Sequence, residues 1–86
     1  MISRYKVTGH SMEPNFRNGD KLLVSSLFFN LKKNDVVVFR HGQRSYLKRI
    51  NAVVKNRLLL TGDNKNHSGR FNIDRSQIKG KLLMKY

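Results

Sequence analysis

The sequence predicts a mainly β fold, a compact antiparallel sheet or partly closed barrel with at most one or two short helical turns. Two observations carry this. Lys21-Leu22-Leu23-Val24, Asp35-Val36-Val37-Val38-Phe39, Tyr46-Leu47-Lys48-Arg49-Ile50, Asn51-Ala52-Val53-Val54 and Leu58-Leu59-Leu60 are short apolar runs, rich in β-branched residues and bounded by Gly, Asn, Asp or Lys. Between them, His41-Gly42-Gln43-Arg44 and Lys55-Asn56-Arg57 have the polar character of hairpin turns, so neighbouring runs are expected to pair as an antiparallel meander. With 86 residues, the chain is expected to be one domain, 1–86, with a small core. A domain this short buries only about 60 to 65 % of the surface its unfolded chain exposes.

The remaining segments follow in order. Glu13 to Arg17 follows Ser11 and can form one helical turn, because proline is tolerated where its missing N–H has no helical partner. Residues 25–33, "SSLFFNLKK", are a second helix candidate or a loop; Phe28 and Phe29 are expected to pack into the core rather than to face a lipid headgroup region or a partner. Residues 62–76 form the longest polar stretch and read as a solvated loop, with Gly62-Asp63-Asn64 as its turn.

Charge narrows the partners. Eighteen Lys and Arg against five Asp and Glu give a formal net charge of +13, which attracts nucleic acid or an anionic membrane surface. No cysteine is present, which removes disulfides and thiolate metal sites, and His10, His41 and His67 are scattered. Neither a metal nor another cofactor is expected. No apolar run approaches the about 20 residues of a membrane span, and no signal-peptide apolar region follows Met1. The expected location is cytoplasmic or peripheral to the membrane.

The five acids, Glu13, Asp20, Asp35, Asp63 and Asp74, show no spacing that converges two of them on a cleft. Nucleophilic chemistry remains, which needs a hydroxyl at a sharp turn, a base in reach and a donor for the developing oxyanion. Ser11 stands in such a turn, two residues after Gly9, where the backbone can bend or approach a substrate closely. A lysine serves as the base when burial lowers its pKa enough to populate the neutral amine. Lys48 lies mid-strand. Alternation turns either Lys48 or Leu47 toward the core, and residue type favours a solvent-exposed lysine with Leu47 inside.

The order of these pieces resembles a known family. "GHSMEPNFRNGDKLLV" is similar to the Ser-Met-x-Pro box of signal peptidase I, "NDVVVF" to the strand that follows it, "YLKRINAV" to the Lys-Arg box, and "LLLTGDNKNHS" to the Gly-Asp-Asn box; "IKGKLL" resembles the closing strand. The Ser-Lys peptidase domain of SOS and phage repressors has a related fold. The resemblance implies Ser11 as nucleophile, Lys48 as general base and Ser68 as the group that orients the Lys48 amine. Met12 and Pro14 are implied in substrate binding, and Gly62, Asp63 and Asn64 as the structural turn. The family's second oxyanion donor falls on Gly9, which has no hydroxyl, so either a backbone N–H serves instead or the hole has one donor fewer. Ser68 is followed by Gly69-Arg70-Phe71-Asn72 in place of the family's Asp-Ser-Arg, and Lys48 and Gly62 are separated by room for a hairpin only. A minimal catalytic core is therefore expected, without anchor or accessory domain, similar to the small proteases proposed to trim nickel-type superoxide dismutase.

The function implied is a Ser-Lys endopeptidase that cleaves an N-terminal leader or propeptide after small side chains, the substrate lying as an added strand. Two alternatives accompany it. One is a non-catalytic basic β-barrel that binds nucleic acid through Lys and Arg, with Tyr5, Phe39, Tyr46 or Phe71 for stacking. The other is an inactive peptidase-fold partner module.

Overall fold

A computed structural model describes residues 1–27, 30–66 and 69–86. It contains one antiparallel sheet of seven strands: β1 (Ile2–Lys6), β2 (Lys21–Ser25), β3 (Val36–His41), β4 (Arg44–Val54), β5 (Arg57–Thr61), β6 (Arg70–Asp74) and β7 (Ile78–Lys85). The order across the sheet is β1-β2-β7-β3-β4-β5-β6, so β1 and β6 are its edges and the sheet does not close. The mainly β expectation holds. Strands β3 to β6 form the expected meander, but the C-terminal β7 inserts between β2 and β3 and joins two pieces that lie apart in sequence.

Two of the expected runs, 46–50 and 51–54, are one strand. β4 is continuous because it is kinked, not broken: its register with β5 shifts between Ile50 and Ala52, and the Thr61 hydroxyl donates to the Asn51 side chain there at 3.1 Å. The turns fall where expected, with Gly42 and Lys55 both at positive φ.

Alternation along the strands divides the apolar residues between the two faces of the sheet. Val7, Met12, Phe16, Leu22, Val24, Val36, Val38 and Leu47 form one core, with Tyr5 and Leu82 at its margin. Leu31, Val37, Phe39, Ile50, Leu58, Leu60, Ile73 and Ile78 form the other, with Tyr46 and Phe71 packed against it. The run Val36-Val37-Val38-Phe39 is buried throughout because it feeds both cores, odd residues to one side and even residues to the other. Lys48 is opposite Val37 in the β3–β4 register and therefore shares the second core's face, whereas Leu47, opposite Val38, joins the first.

Three expectations are corrected. Glu13 to Arg17 is not helical. The His10 carbonyl accepts from the Glu13 N–H at 3.2 Å and from the Asn64 side chain, and the Ser11 carbonyl accepts from the Asn64 N–H, so these carbonyls are held by a tight turn and by a distant segment. A turn results, with a cis Glu13–Pro14 peptide and a Phe16 N–H to Met12 carbonyl bond of 2.9 Å. No helix covers the described residues of 25–33; Ser25 ends β2, the Ser25 hydroxyl exchanges hydrogen bonds with Leu27, and Leu31 is buried, while Phe28 and Phe29 lie outside the described residues. The polar 62–76 stretch is a loop only in its first part. Arg70–Asp74 is β6, with Phe71 opposite Leu60 and Ile73 opposite Leu58, and Arg75–Gln77 is a 3-10 turn capped by Asp74.

Candidate active site

Ser11 sits in a loop whose base is sewn shut. The Val7 N–H donates to the Asp20 carbonyl at 2.9 Å, and the Gly19 N–H to the Val7 carbonyl at 2.8 Å. Between these ties Met12 and Phe16 plug into the first core, both under 10 % exposed, so the loop is fixed by burial on one side. Gly9 takes φ +85°, a conformation that strains any side-chain-bearing residue, and this bend carries the chain into the serine turn.

Lys48 comes from the opposite face. It is the single buried charged residue among the described ones, 5 % exposed, and its Nζ lies 5.8 Å from the centroid of the Phe71 ring. The expectation of a solvent-facing Lys48 with Leu47 alone inside is overturned, since both are buried, one in each core. That is possible because this sheet is covered on both sides at β4. No carboxylate pairs with Lys48 among the described residues, and burial pushes its ammonium below the usual lysine pKa.

The two residues line one groove at a gap in the sheet. β4 pairs with β3 over its first half, but its pairing with β5 begins only at Arg49, so the other edge of Arg44–Lys48 has no strand partner among the described residues. The chain leaves β5 after Thr61 and crosses to the serine loop. There the Asn64 N–H donates to the Ser11 carbonyl at 2.8 Å, and its side-chain amide to the His10 carbonyl at 2.9 Å. A groove of about 600 Å³ results, with Tyr5 and Val7 to Met12 on one wall and Arg44 to Lys48 on the other. Ser11 and Lys48 both line it.

The Gly-Asp-Asn turn is thus more than a turn. Asp63 receives both Arg49 Nε and Arg49 Nη2 at 2.8 Å and the Asn15 side chain at 2.9 Å, while Arg49 Nη1 reaches the Asn34 carbonyl at 2.8 Å. Burial pushes the Asp63 carboxyl up, but the hydrogen bonds from Arg49 and Asn15 and the Arg49 charge outweigh it, and the pKa lies below the usual carboxylate range. One three-residue segment therefore grips the serine loop through Asn64 and Asp63 and the lysine strand through Asp63.

Of the other expected site residues, Gly9 lines the groove, but its N–H donates to Asn18 Oδ1 at 2.9 Å. The Ser11 N–H has no acceptor among the described residues. Met12 lies at the floor, 2 % exposed. Pro14 is exposed and is not part of the groove wall. Ser68 and His67 lie outside the described residues. Asn18 and the ring of Phe71 were not legible as parts of the site; the only sign was Asn18-Gly19-Asp20, which reads equally well as plain turn chemistry. Among the described residues no three His, Asp or Glu gather as metal ligands, and no helix is long and apolar enough to cross a membrane.

A kinked antiparallel sheet that brings a serine turn and a buried strand lysine to one open edge has the design of a peptidase fold. The chain belongs to the Peptidase S24-like family, whose profile matches residues 4–83. That match names neither signal peptidase I nor a superoxide dismutase precursor. No curated protein matches the chain.

Proposed function

We propose that the chain is a serine endopeptidase that uses Ser11 as nucleophile and Lys48 as general base. The observation that carries this reading is that a serine turn and a buried lysine without a carboxylate partner line one groove. Neutral Lys48 takes the Ser11 hydroxyl proton as Oγ attacks the scissile carbonyl, and the resulting oxyanion accepts from the Ser11 N–H. Lys48 then passes the proton to the leaving amine as the C–N bond breaks, giving an ester on Ser11. Water, deprotonated by Lys48, hydrolyses the ester, and the returning proton restores the Ser11 hydroxyl.

The substrate is a polypeptide leader or propeptide, laid along the open edge of β4 where unpaired backbone groups accept an added strand. Small side chains beside the cut fit this site, because Met12, Val7 and Leu47 are buried and fill the floor where a deep pocket would lie. The fuller resemblance to signal peptidase I and to superoxide dismutase maturation proteases supports the same preference.

Treating the purified chain with a serine-directed fluorophosphonate over a range of pH and mapping adducts by mass spectrometry tests the dyad. An adduct on Ser11 that grows with pH and disappears in Lys48→Ala is expected. An unmodified Ser11 at every pH, or an adduct indifferent to Lys48, contradicts it.

A further inference from the structure

No Asp or Glu is among the side chains lining the groove, yet it contains an exposed arginine, Arg44, that pairs with no carboxylate among the described residues. Side chains alternate along a strand, so Arg44 and Lys48 fall on the same side of β4. At about 3.3 Å per residue, their backbones are about 13 Å apart. A peptide added to the open edge advances by the same step, so the residue opposite Arg44 stands about four positions from the residue opposite Lys48. Directly opposed side chains on one sheet face are within reach of each other. The net charge of +13 further raises the concentration of acidic segments near the groove.

From this register we infer that Arg44 selects substrates with an acidic side chain about four residues from the scissile bond. The inference rests on Ser11 and Lys48 marking the point of cleavage. Its substrate class is therefore narrower than a leader with small residues at the cut: the segment also carries Asp or Glu in register with Arg44, and a basic residue there is rejected.

Digestion of a proteome-derived peptide library, with the flanks of every cut read on both sides by mass spectrometry, tests this in the full chain. Wild type is expected to enrich Asp and Glu at that position. The enrichment should vanish in Arg44→Gln and turn to Lys and Arg in Arg44→Glu, while Lys79→Glu, which changes the same charge on an exposed residue outside the groove, keeps the wild-type profile. Ser11-dependent cleavage with the same profile in wild type and Arg44→Glu overturns the inference and leaves the peptidase reading standing. If wild type cuts nothing, the peptidase reading falls, and anisotropy of Asp-bearing and Lys-bearing fluorescent peptides on Ser11→Ala decides the binding preference. The expected loss for the Asp peptide in Arg44→Gln is roughly two- to fivefold; equal affinities for the two peptides overturn the inference.

Discussion

The two cores of this sheet do different work. The first, built on Leu22, Val24, Val38 and Leu47, anchors a loop: Met12 and Phe16 are driven into it, and Ser11, directly before Met12, is carried along. The second, built on Val37, Phe39, Ile50 and Leu60, surrounds a charge, because Lys48 is on its face beneath Phe71. One core fixes where a side chain is, and the other lowers the pKa of a buried amine. They exchange influence at the one stretch of β4 that β5 leaves open, and the Gly62-Asp63-Asn64 segment ties them together there.

Variants that strike one core's contribution and spare the other's break this comparison most sharply. Ser11→Ala and Lys48→Ala are each expected to reduce peptide cleavage by on the order of 10⁴-fold or more, with the double variant little worse than either, since the two act as one unit. Single-turnover kinetics on a cleavable library peptide checks both. Additive losses in the double variant would argue against a shared step.

Asn64→Ala weakens the tie to the serine loop without touching Lys48. Both hydrogen bonds to the His10 and Ser11 carbonyls involve this residue, but only the side-chain one is removed. A misplacement of the nucleophile by about 1 Å costs about 10²-fold. A loss of that order in kcat, with the low-pH limb of the rate profile unmoved, is expected; a shifted limb would show that Lys48 was disturbed too.

Asp63→Ala cuts the tie to the lysine strand and, with it, the Asn15 bond to the serine loop. It leaves the half-buried Arg49 and the Asn15 amide without their acceptor, at a cost of about 1–3 kcal/mol. Since about 1 kcal/mol moves the Tm of a domain this size by about 4–8 °C, calorimetry reads the effect directly. The Asp63 pKa is depressed in the folded state, so its contribution is present above the ordinary carboxylate value and is lost as pH falls through the depressed one. The gap between wild type and Asp63→Ala should therefore close in strong acid.

Lys48→Met has the smallest expected effect on the fold and the opposite sign. The folded Lys48 pKa lies below its unfolded value, so between the two the unfolded chain binds the extra proton and stability rises with pH. At neutral pH the buried amine costs stability, and Lys48→Met should gain roughly 1 kcal/mol for each unit by which the pKa is depressed. The gain should shrink as pH climbs toward the ordinary lysine value. Denaturant melts at neutral and alkaline pH measure it.

The sequence made the apolar strands legible because Val36 to Phe39 and Leu58 to Leu60 are too apolar to lie anywhere but in a sheet. It concealed β1 and β6 for the opposite reason. Both are edge strands, and Tyr5 alone in β1 and Ile73 with Phe71 in β6 turn toward a core, so their flanking Arg, Lys and Asn read as loop. The insertion of β7 between β2 and β3 depends on contacts distant along the chain, which no local pattern encodes. The order of their boxes pointed to Ser11 and Lys48, and both line one groove. The burial of Lys48 was not, because single-residue tendencies assume a strand with one wet face, and β4 has none at that point. The double grip of Asp63 and Asn64 was hidden as well, since Gly-Asp-Asn is ordinary turn chemistry until its partners are known.

The most direct measurement is the titration of Lys48 itself. NMR of the chain with labelled lysine side chains, the Lys48 signal assigned by its absence in Lys48→Met, follows the amine as pH is raised. A pKa clearly below those of the other lysines, and a signal that shifts when Ser11 is modified, is the result expected of a buried base beside its nucleophile. A Lys48 that titrates with the surface lysines and ignores Ser11 would contradict the dyad.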